Sequence, residues 1–175
     1  RRKTNLAFEN YNVYLLKQKR DFYHQFMHNT LQYNNKDQSF SEIAWYSGVA
    51  ASDWSWGALL FDVDNDGYRD IYVCNGIYQD VIDQDFIDFF SNEVFQKMAV
   101  SGEKTKLQEI LKEMPSRPQL NQLFHNNGDL TFADKGLDFG FEEASFSNGA
   151  SYGDLDNDGD LDLVVNNLNQ QSFLF

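Results

Sequence analysis

The chain has 175 residues and a formal net charge of −13, with 14 Lys and Arg against 27 Asp and Glu. That balance argues against nucleic acid or an anionic membrane surface as a partner, since both require a basic footprint. No run approaches the ~18 apolar residues of a membrane span, and Cys74, the single cysteine, rules out an internal disulfide.

Taken in chain order, residues 1–30 read as an N-terminal helical segment. Tyr11, Tyr14, Leu15, Phe22 and Phe26 recur at near-helical spacing over about 5–28, with Lys17, Lys19, Arg20 and Asp21 between them. The pattern predicts an amphipathic helix packed on the rest of the chain, with a partner-binding helix as the alternative. Residues 31–76 read as hairpin, loop, strand, acidic turn and strand. The acidic turn is Asp62-Val63-Asp64-Asn65-Asp66-Gly67-Tyr68-Arg69-Asp70, and Ile71-Tyr72-Val73-Cys74 follows it as a β-branched and aromatic run.

Residues 77–121 carry a different pattern. Asp83–Phe90 leads into Val94, Phe95 and Met98 at helical spacing, Ser101-Gly102 breaks it, and Lys104–Met114 predicts a second helix stopped by Pro115 and Pro118. A helical insertion of this length is long for a connection. It reads equally as a binding surface and as a helical cap. Residues 122–175 then repeat the earlier unit, with Asn127-Gly128 as a tight-turn signal and a second acidic turn, Asp154-Leu155-Asp156-Asn157-Asp158-Gly159-Asp160-Leu161-Asp162. The chain opens Arg-Arg-Lys and ends in a strand-like run, so a piece of a longer protein is expected, with exposed strand edges that invite self-association.

Shifting the chain by 92 positions superposes Leu31–Asn75 on Leu123–Asn167 without a gap, and 17 of the 45 positions are identical. The shared skeleton includes Leu31, Asn34, Asn35, Asp37 and Phe40 against Leu123, Asn126, Asn127, Asp129 and Phe132. Further along, Gly48, Ser55, Gly57 and Ala58 match Gly140, Ser147, Gly149 and Ala150. Lys36 stands where the second copy has Gly128.

Each acidic turn places carboxylates at positions 1, 3, 5 and 9, with Gly at 6. Alternating carboxylates turn inward when the chain curls, and the glycine supplies the positive φ of the bend. The predicted ligands are Asp62, Asp64, Asp66 and Asp70 with the carbonyl of Tyr68, and Asp154, Asp156, Asp158 and Asp162 with the carbonyl of Asp160. Oxygen-only ligands on a flexible loop suit Ca²⁺ best, which makes two calcium sites. A bare acidic turn is the competing reading. It is opposed by repulsion, since two carboxylates about 4 Å apart cost roughly 4 kcal/mol at an effective dielectric of about 20. An EF-hand fails, because position 12 holds Val73 or Val165 rather than Glu, and a strand follows. Two divalent ions would bring the net charge to about −9.

The segments Phe61–Ile71, Gly153–Leu163 and Leu123–Phe132, together with the spacing between them, resemble FG-GAP/VCBS repeats, which form the blades of integrin α-type propellers and of many secreted bacterial proteins. The stretch from about Asn29 to Gly76, with Asp53-Trp54-Ser55-Trp56-Gly57, is similar to large VCBS-repeat surface proteins of Bacteroidetes-type bacteria. The resemblance implies a mainly β fold, a partial β-propeller of about two blades with an N-terminal helix and a helical insertion. It also implies structural Ca²⁺ held by the eight loop aspartates and an extracytoplasmic location. The expected role is a binding or adhesion scaffold for a glycan or protein ligand. Part of a polysaccharide-acting propeller enzyme and a protein–protein module using residues 77–121 are the alternatives.

No enzyme is expected in this chain. His24, His28 and His125 fall beside no carboxylate and nucleophile in a recognisable motif. Trp54 and Trp56, with Trp45, Tyr46 and Phe61, suggest sugar stacking but are expected to pack between blades. Cys74, which matches Asn166, reads as a packed strand residue rather than a reactive thiol.

Overall fold

A computed structural model describes residues 11–22, 28–80, 83–90, 96, 99–100, 112 and 114–175. The chain divides into two compact units, one of Arg1–Met27 with Gln79–Arg117 and one of His28–Tyr78 with Pro118–Phe175.

In the first unit, helix α1 spans Tyr11–Gln18. It stops well short of residue 28 for a local reason. Asp21 takes a left-handed φ of 59°, and the N–H groups of Asp21 and Phe22 donate back to the carbonyls of Gln18 (3.2 Å) and Lys17 (3.2 Å). That pair of bonds is a Schellman ending, which satisfies the last carbonyls and turns the chain away. Helix α3, Gln84–Phe89, starts on Asp83, whose buried carboxylate accepts the N–H of Phe86 at 3.1 Å as an N-cap. The expected helix over Lys104–Met114 lies outside the described residues apart from Lys112 and Met114, and Phe26 and His24 also lie outside them.

The second unit is mainly β, as the repeat pattern implies. Its elements are β1 (Gln32–Asn34), β2 (Phe40–Glu42), the short helix α2 (Ala44–Ser47), β3 (Ser55–Phe61), β4 (Asp70–Asn75), β5 (Gln122–Asn126), β6 (Phe132–Asp134), β7 (Ser147–Gly153), β8 (Asp162–Asn167) and β9 (Phe173–Leu174). They form antiparallel sheets ordered β1-β2, β3-β4-β5-β6 and β7-β8-β9. The sheets do not share the boundaries of the sequence repeat. Residues 31–76 are not one sheet: the hairpin β1–β2 stands apart, and β3–β4 is completed by the hairpin β5–β6 from the second repeat. Pairing Ile71 with Phe124 and Tyr72 with Leu123 makes that junction. The blade is therefore out of phase with the repeat.

Both hairpins close on five residues rather than two, with Asn35 N–H bonded to Ser39 O (3.1 Å) and Asn127 N–H to Thr131 O (3.0 Å). Asp37 and Asp129 then accept the N–H and hydroxyl of Ser39 and Thr131, which lowers both carboxyl pKa values. The second repeat runs the same turn with Gly128 at φ 77° where the first uses Lys36 at φ 63°.

Strand β4 is buried along its whole length. Tyr72 and Cys74 face one core with Phe61, Leu123, Phe141, Leu163 and Val165, joining the second sheet to the third. Ile71 and Val73 face another with Ala44, Val49, Ala50 and Phe124. A strand covered on both faces needs a nearly continuous apolar run, which Ile71–Cys74 supplies. Cys74 is 0% exposed, and burial pushes its thiol up to about 11, so it is an inert packing residue at neutral pH. Two of the three tryptophans depart from expectation: Trp45 is 70% and Trp56 55% exposed, so neither is packed in a core, whereas Trp54 is half-buried. Trp56 uses its indole N–H instead, donating to the carbonyl of Gly76 at 2.6 Å.

The two repeats leave and re-enter their sheets by the same bonds. Gly76 N–H donates to Trp54 O (3.1 Å) and Leu168 N–H to Phe146 O (2.9 Å), positions related by the 92-residue shift. The carboxamide of Asn75 donates to Leu120 O (3.1 Å), and that of its counterpart Asn167 to Gln171 O (2.7 Å). One pair encloses residues 76–121 and the other only 168–172. Asparagine side chains thus hold both strand junctions, and in the first repeat Asn121, at the end of the connection, adds to them by accepting Asn75 N–H at 2.9 Å and donating to Ser147 Oγ at 2.8 Å.

Candidate metal centre

Each acidic loop is curled by its own carboxylates. Asp62 accepts the N–H groups of Asp66 (3.1 Å) and Gly67 (2.9 Å), while Asp154 accepts those of Asp158 (3.2 Å) and Gly159 (3.1 Å). Asp66 and Asp158 accept from Tyr68 N–H (2.8 Å) and Asp160 N–H (2.9 Å). The ninth residue ties the loop's end to its start: Asp70 accepts from Val63 N–H at 3.0 Å, and Asp162 from Leu155 N–H at 2.7 Å. Positive φ falls on the same residues in both copies, at Asn65 (58°) with Gly67 (89°) and at Asn157 (64°) with Gly159 (97°). Asn tolerates that region and Gly occupies it freely, which is why this pair of residues recurs.

The result is a carboxylate triad in each loop. One oxygen from each of Asp62, Asp64 and Asp70 lies within 4.8 Å of the others, and the same holds for Asp154, Asp156 and Asp162. These are hard oxygen donors on a turn that opens a strand, and they fit a divalent cation. Like-charge crowding is visible in the second loop, where the neighbouring Asp158 carboxylate raises the pKa of Asp156. Asp66 and Asp158 fall outside the triads. Of the two residues expected to ligate through carbonyls, Tyr68 lays its ring against Gly128, where an added Cβ would come within 3.2 Å, and the Asp160 carboxylate accepts from Asn65 Nδ2 at 2.6 Å. The two loops therefore touch.

The hairpin β5–β6 clasps the first loop. Asn126 donates its N–H to Asp70 Oδ1 (2.8 Å) and its carboxamide to Arg69 O (2.9 Å). His125 brings Nε2 to 3.0 Å from Asp64 Oδ2 and 3.7 Å from Asp66 Oδ2. Linear reading placed no carboxylate beside His125, because the 61 positions between it and Asp64 are closed by the β4–β5 pairing. The signal that could have found it is the repeat phase, which no single copy reveals.

Away from the loops, a cleft of about 460 Å³ lies at the Asn75 end of β4, lined by Asp53, Asn121, Gln122, Asp134, Lys135 and Phe141 among others. Lys135 is tied to Asp138 at 2.8 Å, leaving the cleft rich in acceptors. No helix of the described residues is long and apolar enough to cross a membrane.

A family model for FG-GAP-like repeats matches residues 13–73 and 114–165, together more than half of the chain. No curated protein matches it.

Proposed function

Because the chain belongs to the FG-GAP-like repeat family, we propose that it is a calcium-stabilised propeller module, serving as a binding or adhesion scaffold outside the cytoplasm, at a bacterial surface or in a secreted protein. One observation carries the metal half of this reading: the same carboxylate triad forms twice, at equivalent places, before equivalent strands. Ca²⁺ would be structural, held by Asp62, Asp64 and Asp70 in one loop and Asp154, Asp156 and Asp162 in the other. It neutralises the crowded carboxylates and fixes the turn. Loops of this kind are most useful where calcium is abundant, which supports the extracytoplasmic location.

The scaffold half rests on the acceptor-rich cleft lined by Asp53 and Asp134, whose carboxylates suit the hydroxyl groups of a glycan, with Phe141 as an apolar wall. No catalytic role is assigned to any residue. Self-association through exposed strand edges belongs to the same reading, and sedimentation tests it: a concentration-independent monomer would remove it.

Thermal unfolding in excess EDTA and then in millimolar Ca²⁺ tests the metal assignment. Ligand at about a hundred times its dissociation constant adds roughly 2.7 kcal/mol per site, so a rise of several degrees with Ca²⁺, and little with Mg²⁺, is expected. An unchanged midpoint in protein shown by metal analysis to start empty would sink it. Glycan-array binding without release of reducing ends supports the scaffold, whereas turnover supports an enzyme. Capture of a protein that depends on residues 77–121 supports the interaction-module alternative.

A further inference from the structure

We propose that two copies of this chain dock head to tail, the outer face of the β7–β8 pair of one copy seated on a groove beside Leu60 of the other. The groove holds about 360 Å³ and is lined by Leu31, Val49, Ala58, Leu60, Ile71 and Val73 among others. The docking gives a surface to the self-association in the proposed function and rests on that part of it alone.

What fits the groove follows from the repeat. Leu31, Val49, Ile71 and Val73 stand 92 positions before Leu123, Phe141, Leu163 and Val165. The later four share a core with Phe61, Tyr72 and Cys74 of β3 and β4. In the earlier core, among the described residues, nothing takes the roles of Phe61, Tyr72 and Cys74, and Ile71 and Val73 line the groove instead. Strand β1 is open in the same way: β5 pairs with both β4 and β6, whereas β1 pairs, among the described strands, with β2 alone. The groove therefore fits an antiparallel strand pair of this same repeat.

The chain offers one such pair with the corresponding face uncovered. Ser151, Val164 and Asn166 stand 92 positions after Leu59, Tyr72 and Cys74, and all three are exposed. Ser151 lies opposite Val164, and Leu174 of β9 extends the same face. Close approach is possible there too. A Cβ on Gly57 would lie 3.4 Å from Gly149 Cα, where the two sheets meet, whereas one on its counterpart Gly149 would meet nothing within 4 Å. Charge permits the contact. In a chain of net charge −13, no Asp, Glu, Lys or Arg lines the groove, and Ser151, Val164, Asn166 and Leu174 are uncharged. The 92-residue shift carries the pairing of Tyr72 with Leu123 over to Val164 of one copy and Leu31 of the other. Within one chain Leu174 of the two-residue β9 holds that place, so β9 competes with β1 and keeps the association concentration-dependent.

The two faces differ, so the contact is heterologous and each docked copy keeps one face free. Sedimentation velocity of the whole chain over a wide concentration range tests this, with Leu60→Glu and Val164→Glu. The wild type is expected to associate as concentration rises. Either glutamate places an unpaired charge in the contact, so each variant alone should associate about tenfold more weakly or less still. An equimolar mixture of the two should form dimers and stop there, because each keeps the face that the other has lost. Both positions are exposed in the free chain, and unchanged circular dichroism shows that the variants fold. Leu60→Gln and Val164→Thr, which add no charge, should show the same pattern more weakly. Leu137→Glu, on an exposed leucine outside both faces, should associate like the wild type. A monomer at every concentration would remove both the docking and the self-association reading. Variants that associate as the wild type does, or a mixture no stronger than its components, would overturn the docking alone and leave that reading standing.

Discussion

In the first loop Asp70 is 0% exposed and accepts two backbone N–H groups, one from Val63 in its own loop and one from Asn126 in the clasping hairpin. In the second loop Asp162 is half-buried and accepts, among the described residues, from Leu155 alone. The nine-residue sequences are nearly the same, so the difference comes from the neighbours. A motif sets which oxygens turn inward, whereas the strand paired next to it sets how firmly they are held.

Asp70→Ala and Asp162→Ala break that comparison most directly. Removing Asp70 orphans two N–H groups, at about 1–3 kcal/mol for each buried donor left unpaired. We expect about 3 kcal/mol lost for Asp70→Ala and about 1 kcal/mol for Asp162→Ala. Urea unfolding in EDTA measures this without a metal contribution, and equal losses would show that the hairpin clasp contributes nothing.

The connections give the next contrast. Gly76–Asn121 and Leu168–Ser172 span equivalent gaps, and their ends are held by equivalent bonds from Asn75 and Asn167. Replacing residues 77–118 with the sequence of 168–172, which keeps Gln119 and Asn121 and their bonds to Ser145, Asn75 and Ser147, should therefore leave the two loops and the four-stranded sheet formed. Retention of the Ca²⁺-induced thermal shift is the measurement. Its loss would mean that the insertion is part of the fold's support.

These outcomes track what sequence could and could not reveal. The loops, the hairpins and the strands after them are local, so spacing alone exposed them: Gly67 and Gly159 mark the bend, and Ile71–Cys74 and Leu163–Val165 mark the strands. The blade phase is not local. Either hairpin, read by itself, fits the strands that follow it as well as those that precede it, and only the Ile71–Phe124 register decides. His125 was missed for that reason. The tryptophans misled for another, because an alternating aromatic pair signals a shared face and not whether that face is covered. Trp56 is exposed and serves as a hydrogen-bond donor.

Asn126 sharpens the comparison at the level of metal affinity. Its N–H and carboxamide hold Asp70 and the Arg69 carbonyl from outside the loop, an arrangement that orients a ligand rather than supplying one. Outer partners of metal ligands typically contribute 10–100-fold in affinity. Asn126→Ala keeps the backbone bond and loses the carboxamide, so on the proposed calcium reading about a tenfold weakening at the first loop is expected. Isothermal titration with Ca²⁺ should then resolve two unequal sites. Parallel weakening of both would place the effect in the fold rather than in the first loop.

The smallest effect concerns the contact between the loops, Asn65 Nδ2 to Asp160 Oδ1 at 2.6 Å. Asn65→Ala alone does not isolate it, because alanine also resists the left-handed φ of 58° at that position. The second repeat provides the correction. Asn157 has nearly the same φ, 64°, without a cross-loop bond, so Asn157→Ala carries the backbone cost alone. The difference between the two variants should be below about 1 kcal/mol, the range of a single solvent-exposed hydrogen bond. It should vanish when both are placed on an Asp160→Ala background. A difference that survives there would assign Asn65 to the curl of its own loop, and the two acidic loops would then be neighbours without being coupled.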